Sequence, residues 1–185
     1  MKASVLGAHF LAMALVSIFF LLLYTTVQQT YRMQANDPQI QVAGDIAHRI
    51  GTGSPLPPGL VPDSIDLDQE SGLFLEIYDG GYQPVSSTAT LDGRIPVIPP
   101  GVLLNTRNRG EEQISWEPRR GVRLATDVRF TGNSRTPFVV VGRSLRDTED
   151  RIANLGWMVL LGWLFSLSLI VIHYPVSGFL RSRFP

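Results

Sequence analysis

Side chains able to do acid–base, nucleophilic or metal chemistry are few and scattered in this sequence. The 185 residues include three histidines, His9, His48 and His173, and no cysteine, so a thiolate nucleophile is excluded. Ser86 and Ser87 lack the Gly-x-Ser-x-Gly surroundings that hold a hydrolase serine on a strained turn. Asp63, Asp66, Asp68 and Glu70 form an acidic cluster. Its Asp-x-Asp-x-Glu portion has neither the central glycine nor the later bidentate glutamate of a calcium loop, and reads as a solvated or helix-capping segment. Glu111 and Glu112 are adjacent, and on a strand neighbouring side chains point to opposite faces, so they cannot share one substrate. No catalytic constellation results: neither an enzyme nor a cofactor or metal is expected.

Recognition remains. From Val122 to Phe130 the residues alternate, with Val122, Leu124, Thr126, Val128 and Phe130 on one face and Arg123, Ala125, Asp127 and Arg129 on the other. That pattern marks a half-buried strand. If Phe74, Glu76 and Tyr78 share the polar face, a cationic and aromatic pocket for a small anion is conceivable, with Tyr78, Arg123 and Arg129 as its ligand contacts. The plainer alternative is a row of cross-strand ion pairs on a wet sheet face.

These residues need elements to position them. Asp37 before Pro38, followed by Ile40, Ala43, Ala47 and Ile50 at helical spacing, predicts a helix over 38–50, with a break near Asn36 and His48 on its wet side. Residues 51–62 are a loop by their glycine and proline content. Residues 73–78 read as a strand, Asp79-Gly80-Gly81 as a tight turn, and 82–88 as the returning strand. A short helix over 102–109 stopped by Gly110, a strand over 112–117, the alternating strand, and an apolar strand over 138–141 central in the sheet complete an α+β domain with an antiparallel sheet of about five strands. A polar helical stretch from Ser144 then leads, without proline or glycine, towards a second apolar run.

The charges say where this domain sits. Hydrophobic residues make up 44% of the chain and the formal net charge is zero. Yet all 16 acidic residues, and 13 of the 16 basic ones, lie between Arg32 and Arg151, so the middle carries −3 and the ends +3. No concentrated basic face exists for nucleic acid. Residues 3–27 contain no Asp, Glu, Lys or Arg, and as a helix they would extend roughly 37 Å at about 1.5 Å per residue. That exceeds the roughly 30 Å hydrocarbon core. The run is too long for a cleaved signal and offers no Ala-x-Ala site, so it reads as an uncleaved anchor. Residues 152–174 are a second such run, with Trp157 and Tyr174 suited to headgroup zones and Trp163 deeper; Pro175 is expected to end the helix. His9 and His173 fall near the ends of these runs, within reach of headgroups or water. Ala8 and Ala12 make one small-xxx-small pair. Lys2, Arg181 and Arg183 favour the cytoplasm, which places the intervening segment outside.

The chain therefore divides into residues 1–27 (cytoplasmic tip and first span), 28–151 (outer domain), 152–174 (second span) and 175–185 (cytoplasmic tail). This order of elements, with Asp79-Gly80-Gly81 and then Val141-Gly142-Arg143-Ser144-Leu145-Arg146-Asp147 before the second span, resembles the extracytoplasmic sensor region of bacterial sensor histidine kinases, with its single PAS-like (PDC or Cache-type) domain. The resemblance implies bacterial origin, a plasma-membrane location, signal transduction, homodimerisation and a membrane or cytoplasmic signalling partner. Eleven residues follow Tyr174, and there is neither a kinase histidine motif nor a Gly-rich ATP lid. Kinase activity is thus not carried over, whether the chain stands alone or belongs to a longer receptor. Two functions follow: a non-catalytic membrane sensor coupling an outer binding domain to its helices, or a structural or assembly protein of the cell envelope that binds another protein. An envelope hydrolase fails for want of nucleophile, base or metal ligands.

Overall fold

The computed structural model describes residues 2–35, 37–60 and 63–183, with residues 2–5 and 174–183 described as backbone only. The chain forms two compact units, residues 32–149 and the pair of segments 1–31 and 150–185. The fold class is α+β, with two long apolar helices flanking a five-stranded antiparallel sheet in the chain order.

In the unit of residues 1–31 and 150–185, helices α1 (Lys2–Gln34) and α4 (Arg146–Arg183) supply the apolar runs. Both are long and apolar enough to cross a membrane, and neither apolar stretch is buried in the protein. They meet through small residues on α4. A Cβ added at Gly162 would stand 3.0 Å from the Phe20 ring, and one at Gly156 would stand 3.7 Å from Tyr24. Trp163, expected to lie deep, donates its indole N–H to the Ser17 hydroxyl at 2.9 Å. The Ala8/Ala12 pair is not what brings these two contacts together. His9 and His173 do face one another, their ring centroids 5.8 Å apart. Against expectation, α4 does not stop at Pro175 but continues to Arg183. Proline removes a single N–H from the ladder, which an apolar helix can absorb by local adjustment. The side chains of Lys2, Tyr174, Arg181 and Arg183, and the expected break at Asn36, lie outside what is described.

In residues 32–149, α2 (Asp37–Thr52) opens the domain and buries Gln39, Ala43 and Ile46, a stripe rotated by one residue from the expected Ile40, Ala43 and Ala47. His48 is exposed, as expected. Strands β2 (Leu73–Tyr78) and β3 (Pro84–Ser87) form the expected hairpin. Its turn is held by Asp79, whose Oδ1 accepts the N–H groups of Gly81 and Gln83, both at 2.9 Å. The left-handed residue there is Tyr82 (φ 64°), not a glycine. Helix α3 (Pro100–Arg109) stops at Gly110 (φ 87°), which donates back to Thr106. Strands β5 (Glu111–Arg119), β6 (Val122–Phe130) and β7 (Phe138–Ser144) complete a sheet ordered β3-β2-β7-β6-β5. β7 is central, as its apolar character predicts, and runs three residues further than expected. A parallel ladder of two-residue strands, β1 (Ile65–Asp66) and β4 (Ala89–Thr90), was not legible in the sequence.

The sheet is covered on both sides. Ala43 and Ile46 of α2 pack on Leu75, Val139 and Val141. On the other face, Phe74, Val122 and Leu124 meet Ile65, Leu67, Ala89 and Leu91, while Tyr78, Val128, Phe138 and Val140 meet Ile98 and Leu103. At the centre Gly142 is compulsory, because a Cβ there would stand 2.5 Å from Phe74 and 2.6 Å from Thr126. Strand β6 is accordingly not half-buried: Ala125 and Asp127 on its polar face are as buried as Leu124 and Val128 on the other, because α2 lies over them.

Candidate functional site

Cross-strand register decides which candidate residues share a face. Leu75 pairs with Val141, which pairs with Asp127; Ile77 pairs with Val139, which pairs with Arg129. Directly paired residues point to the same side, so Arg123, Asp127 and Arg129 share the α2 side with Leu75 and Ile77. Phe74, Glu76 and Tyr78 lie on the opposite side. The mixed cationic and aromatic pocket is thus not assembled: Tyr78 is separated from Arg123 and Arg129 by the thickness of the sheet.

Tyr78 has a different partner. It is fully buried, donates its hydroxyl to Glu76 Oε2 at 2.8 Å and accepts the Ile98 N–H at 3.0 Å. Glu76 is equally buried, at 1% exposure. Burial pushes its carboxyl up to about 7, while hydrogen bonds from Tyr78 and Ser87 pull the other way. Burial also raises the Tyr78 phenol, and the Glu76 charge adds to the effect. The pair is an anchor that ties residue 98 to the sheet.

The two arginines are also engaged. Arg123 meets Glu149 at 2.9 Å, with both side chains about half exposed (51% and 45%). Arg129 donates Nε to Asp127 Oδ2 at 2.6 Å and pairs through Nη1 with Glu111. So the plainer alternative, a cross-strand ion pair, is what Arg129 makes with Glu111, its direct partner on β5, whereas Arg123 pairs with Glu149 of helix α4. The alternative fails for Asp127, which is fully buried. Burial raises its carboxyl above the usual range, with Arg129 opposing that shift.

Beside Asp127 lies a polar cavity. Its volume is about 210 Å³, and its walls include Gln39 and Ile40 of α2, Gln113 and Ser115 of β5, and Thr126 and Asp127 of β6. Asp127 Oδ1 is buried and makes no hydrogen bond of good geometry, although its Oδ2 is held by Arg129. Sequence reasoning placed Asp127 on the candidate face but passed over Gln39, Gln113 and Ser115. The available signal was Gln39 standing four and seven residues before Ala43 and Ile46, a polar residue in an apolar stripe. A second cavity, about 440 Å³, is lined by Leu91, Asp92, Arg94, Val97, Trp116 and Arg119 among others. The acidic cluster contributes there: Asp68 pairs with Arg119, which also meets Asp92 at 2.5 Å. Asp66 Oδ1 caps the Asp68 N–H at 3.0 Å, and Glu111 and Glu112 diverge as expected, Glu112 accepting from Asn105 at 2.8 Å. Comparison of the chain with protein-family models, with curated proteins and with solved structures finds no match.

Proposed function

We propose that the protein is a two-span membrane protein whose residues 28–151 form a PAS-like, extracytoplasmic sensing module without catalytic activity. The observation that carries this reading is the chain order: an antiparallel sheet domain bracketed by two helices long and apolar enough to cross a bilayer. Central strand β7 ends at Ser144 and α4 begins at Arg146, so the second span follows the middle of the sheet almost without a linker. A solute that changes the sheet acts on the residues that lead into the membrane helix, and the output passes to a membrane or cytoplasmic partner or to a second copy of the chain. Lys2 on one side and Arg181 with Arg183 on the other hold both ends in the cytoplasm.

Reporters fused after Arg109 and at the carboxyl end are expected to register opposite sides of the membrane; matching sides overturn the two-span topology. A thermal-shift screen of the full chain in detergent is expected to find a stabilising small solute. Silence across the screen, with capture of one envelope protein instead, removes the sensing reading. One observation favours that second, assembly-protein reading: Ile95 and Val97 are 41% and 49% exposed beside the larger cavity, an apolar pair suited to a protein partner.

A further inference from the structure

The geometry points to the Asp127 cavity as a binding site for a small primary ammonium, a protonated amine that offers N–H donors to a buried carboxylate. The inference rests on the sensing reading above and gives it a ligand class.

Three observations converge. First, the charge is unbalanced. Arg129 stands between two carboxylates, Asp127 through Nε and Glu111 through Nη1, so the trio carries one net negative charge. An anion, the ligand that Arg123 and Arg129 suggest in isolation, would meet that charge unfavourably. Second, the carboxylate has unused capacity. An ionised carboxylate accepts through both oxygens; Arg129 holds Oδ2 of Asp127, while its buried Oδ1 makes no hydrogen bond of good geometry and has the movable Gln113 side chain as a neighbouring polar group. A buried acceptor left unmade costs roughly 1–3 kcal/mol, and a ligand N–H restores it. Third, the cavity beside it is small and polar. At about 210 Å³ it lies below the roughly 300–1,000 Å³ of sites for drug-sized ligands, which restricts it to compact solutes. The Ser115 and Gln113 side chains and the Thr126 strand segment supply further polar atoms around the entering group.

Access follows from the sheet order. Asp127 is fully buried, so an amine reaches it only as a neighbouring side chain turns aside. Gln113, its direct cross-strand partner, is exposed on edge strand β5 and is the group placed to do so. Ser115, two residues further along the same face, is also exposed and marks the mouth of the cavity. The opposite wall is α2, whose Gln39 is buried. Among the described residues no Lys or Arg lines the cavity itself; the cations on this face of the sheet include Arg129, already held by Asp127 and Glu111, and Arg143, two residues along β7 from the partner of Asp127.

The test is a thermal shift of the full chain in detergent. Methylammonium is the probe. Tetramethylammonium has the same charge without N–H donors, acetate is the anionic control, and sodium chloride matches ionic strength. Methylammonium is expected to raise the Tm saturably while the three controls do not. In Asp127→Asn the shift is expected to disappear. Ser115→Phe fills the mouth from an exposed edge position, leaves the carboxylate untouched, and is expected to weaken binding at least tenfold. Should Asp127→Asn fail to fold, Ser115→Phe still decides the matter. An equal shift from tetramethylammonium or salt, or an unchanged methylammonium response in Ser115→Phe, overturns the assignment. Stabilisation by acetate alone, or silence from all four solutes, overturns the ligand class, while the sensing reading is decided separately by the wider screen.

Discussion

Two buried carboxyl groups on opposite faces of one sheet make contrasting demands. Glu76 starts from an ordinary value of 4.5 and is pushed up to about 7 by burial, so folding favours its protonated form. Its stabilising contribution is complete below pH 4.5, falls as the pH rises to about 7, and is absent above. At about 1.4 kcal/mol per pKa unit the loss is about 3 kcal/mol. Glu76→Gln keeps the acceptor for the Tyr78 hydroxyl and cannot ionise. Relative to wild type, its urea midpoint is therefore expected to climb across that pH interval, and parallel profiles for the two proteins would contradict the buried, neutral Glu76. Asp127 instead keeps an arginine. Arg129→Ala strands a fully buried carboxylate and is expected to cost about 3 kcal/mol. Arg123→Ala breaks a pair that is half in water and is expected to cost less than about 1 kcal/mol. Denaturant unfolding of the two variants checks the order, and equal costs would refute it. The alternation of β6 names both arginines as equals in the sequence. Their difference arises from burial and partners: Arg129 is 21% exposed and held between Asp127 and Glu111, whereas Arg123 is 51% exposed beside Glu149 of α4, an arrangement that no local pattern contains.

At the scale of elements, the legible features are those with a local cause. The hairpin at Asp79, the stop at Gly110 and the central position of β7 follow from turn residues, a glycine and an apolar run, and the structure has each of them. The illegible features depend on packing. Pro175 reads as a helix end, yet α4 passes through it. The β1–β4 ladder joins residues 65–66 to 89–90 and has two rungs, too short to leave a period. The ligand face was misassigned because the sequence does not show the register that puts Tyr78 on the far side from Arg129. Gly142 shows how tightly the elements then meet. Gly142→Ala would drive a methyl into Phe74 and Thr126 at the middle of the central strand, and is expected to destabilise by about 2 kcal/mol. Gly101→Ala, at an exposed position of α3 with nothing within 4 Å, is expected to be neutral or slightly stabilising, since alanine is the better helix former. Thermal unfolding of the pair measures whether packing or backbone freedom dominates; similar losses in both would remove the packing argument.

For the whole molecule, the buried residues show which parts depend on which. Among the described residues the buried positions run from Ala35 to Ser144, and the three apolar clusters among them belong wholly to the unit of residues 32–149. The apolar stretches of α1 and α4 are unburied in the protein and suited to hydrocarbon. The sheet has a helix on one face and a helix with loops on the other, so no large apolar face waits for the membrane helices to cover it. The domain has no cysteine and needs no disulfide to close it, consistent with a segment of more than 100 residues that buries its own core. Residues 32–149 expressed without the two apolar runs are therefore expected to be soluble and to unfold in one cooperative urea transition. Glu76→Gln should change that transition with pH as it does in the full chain. A non-cooperative transition, or a core with exchange-labile amides along β7, would show that the spanning helices complete the fold, and the division of labour between anchoring and binding would have to be abandoned.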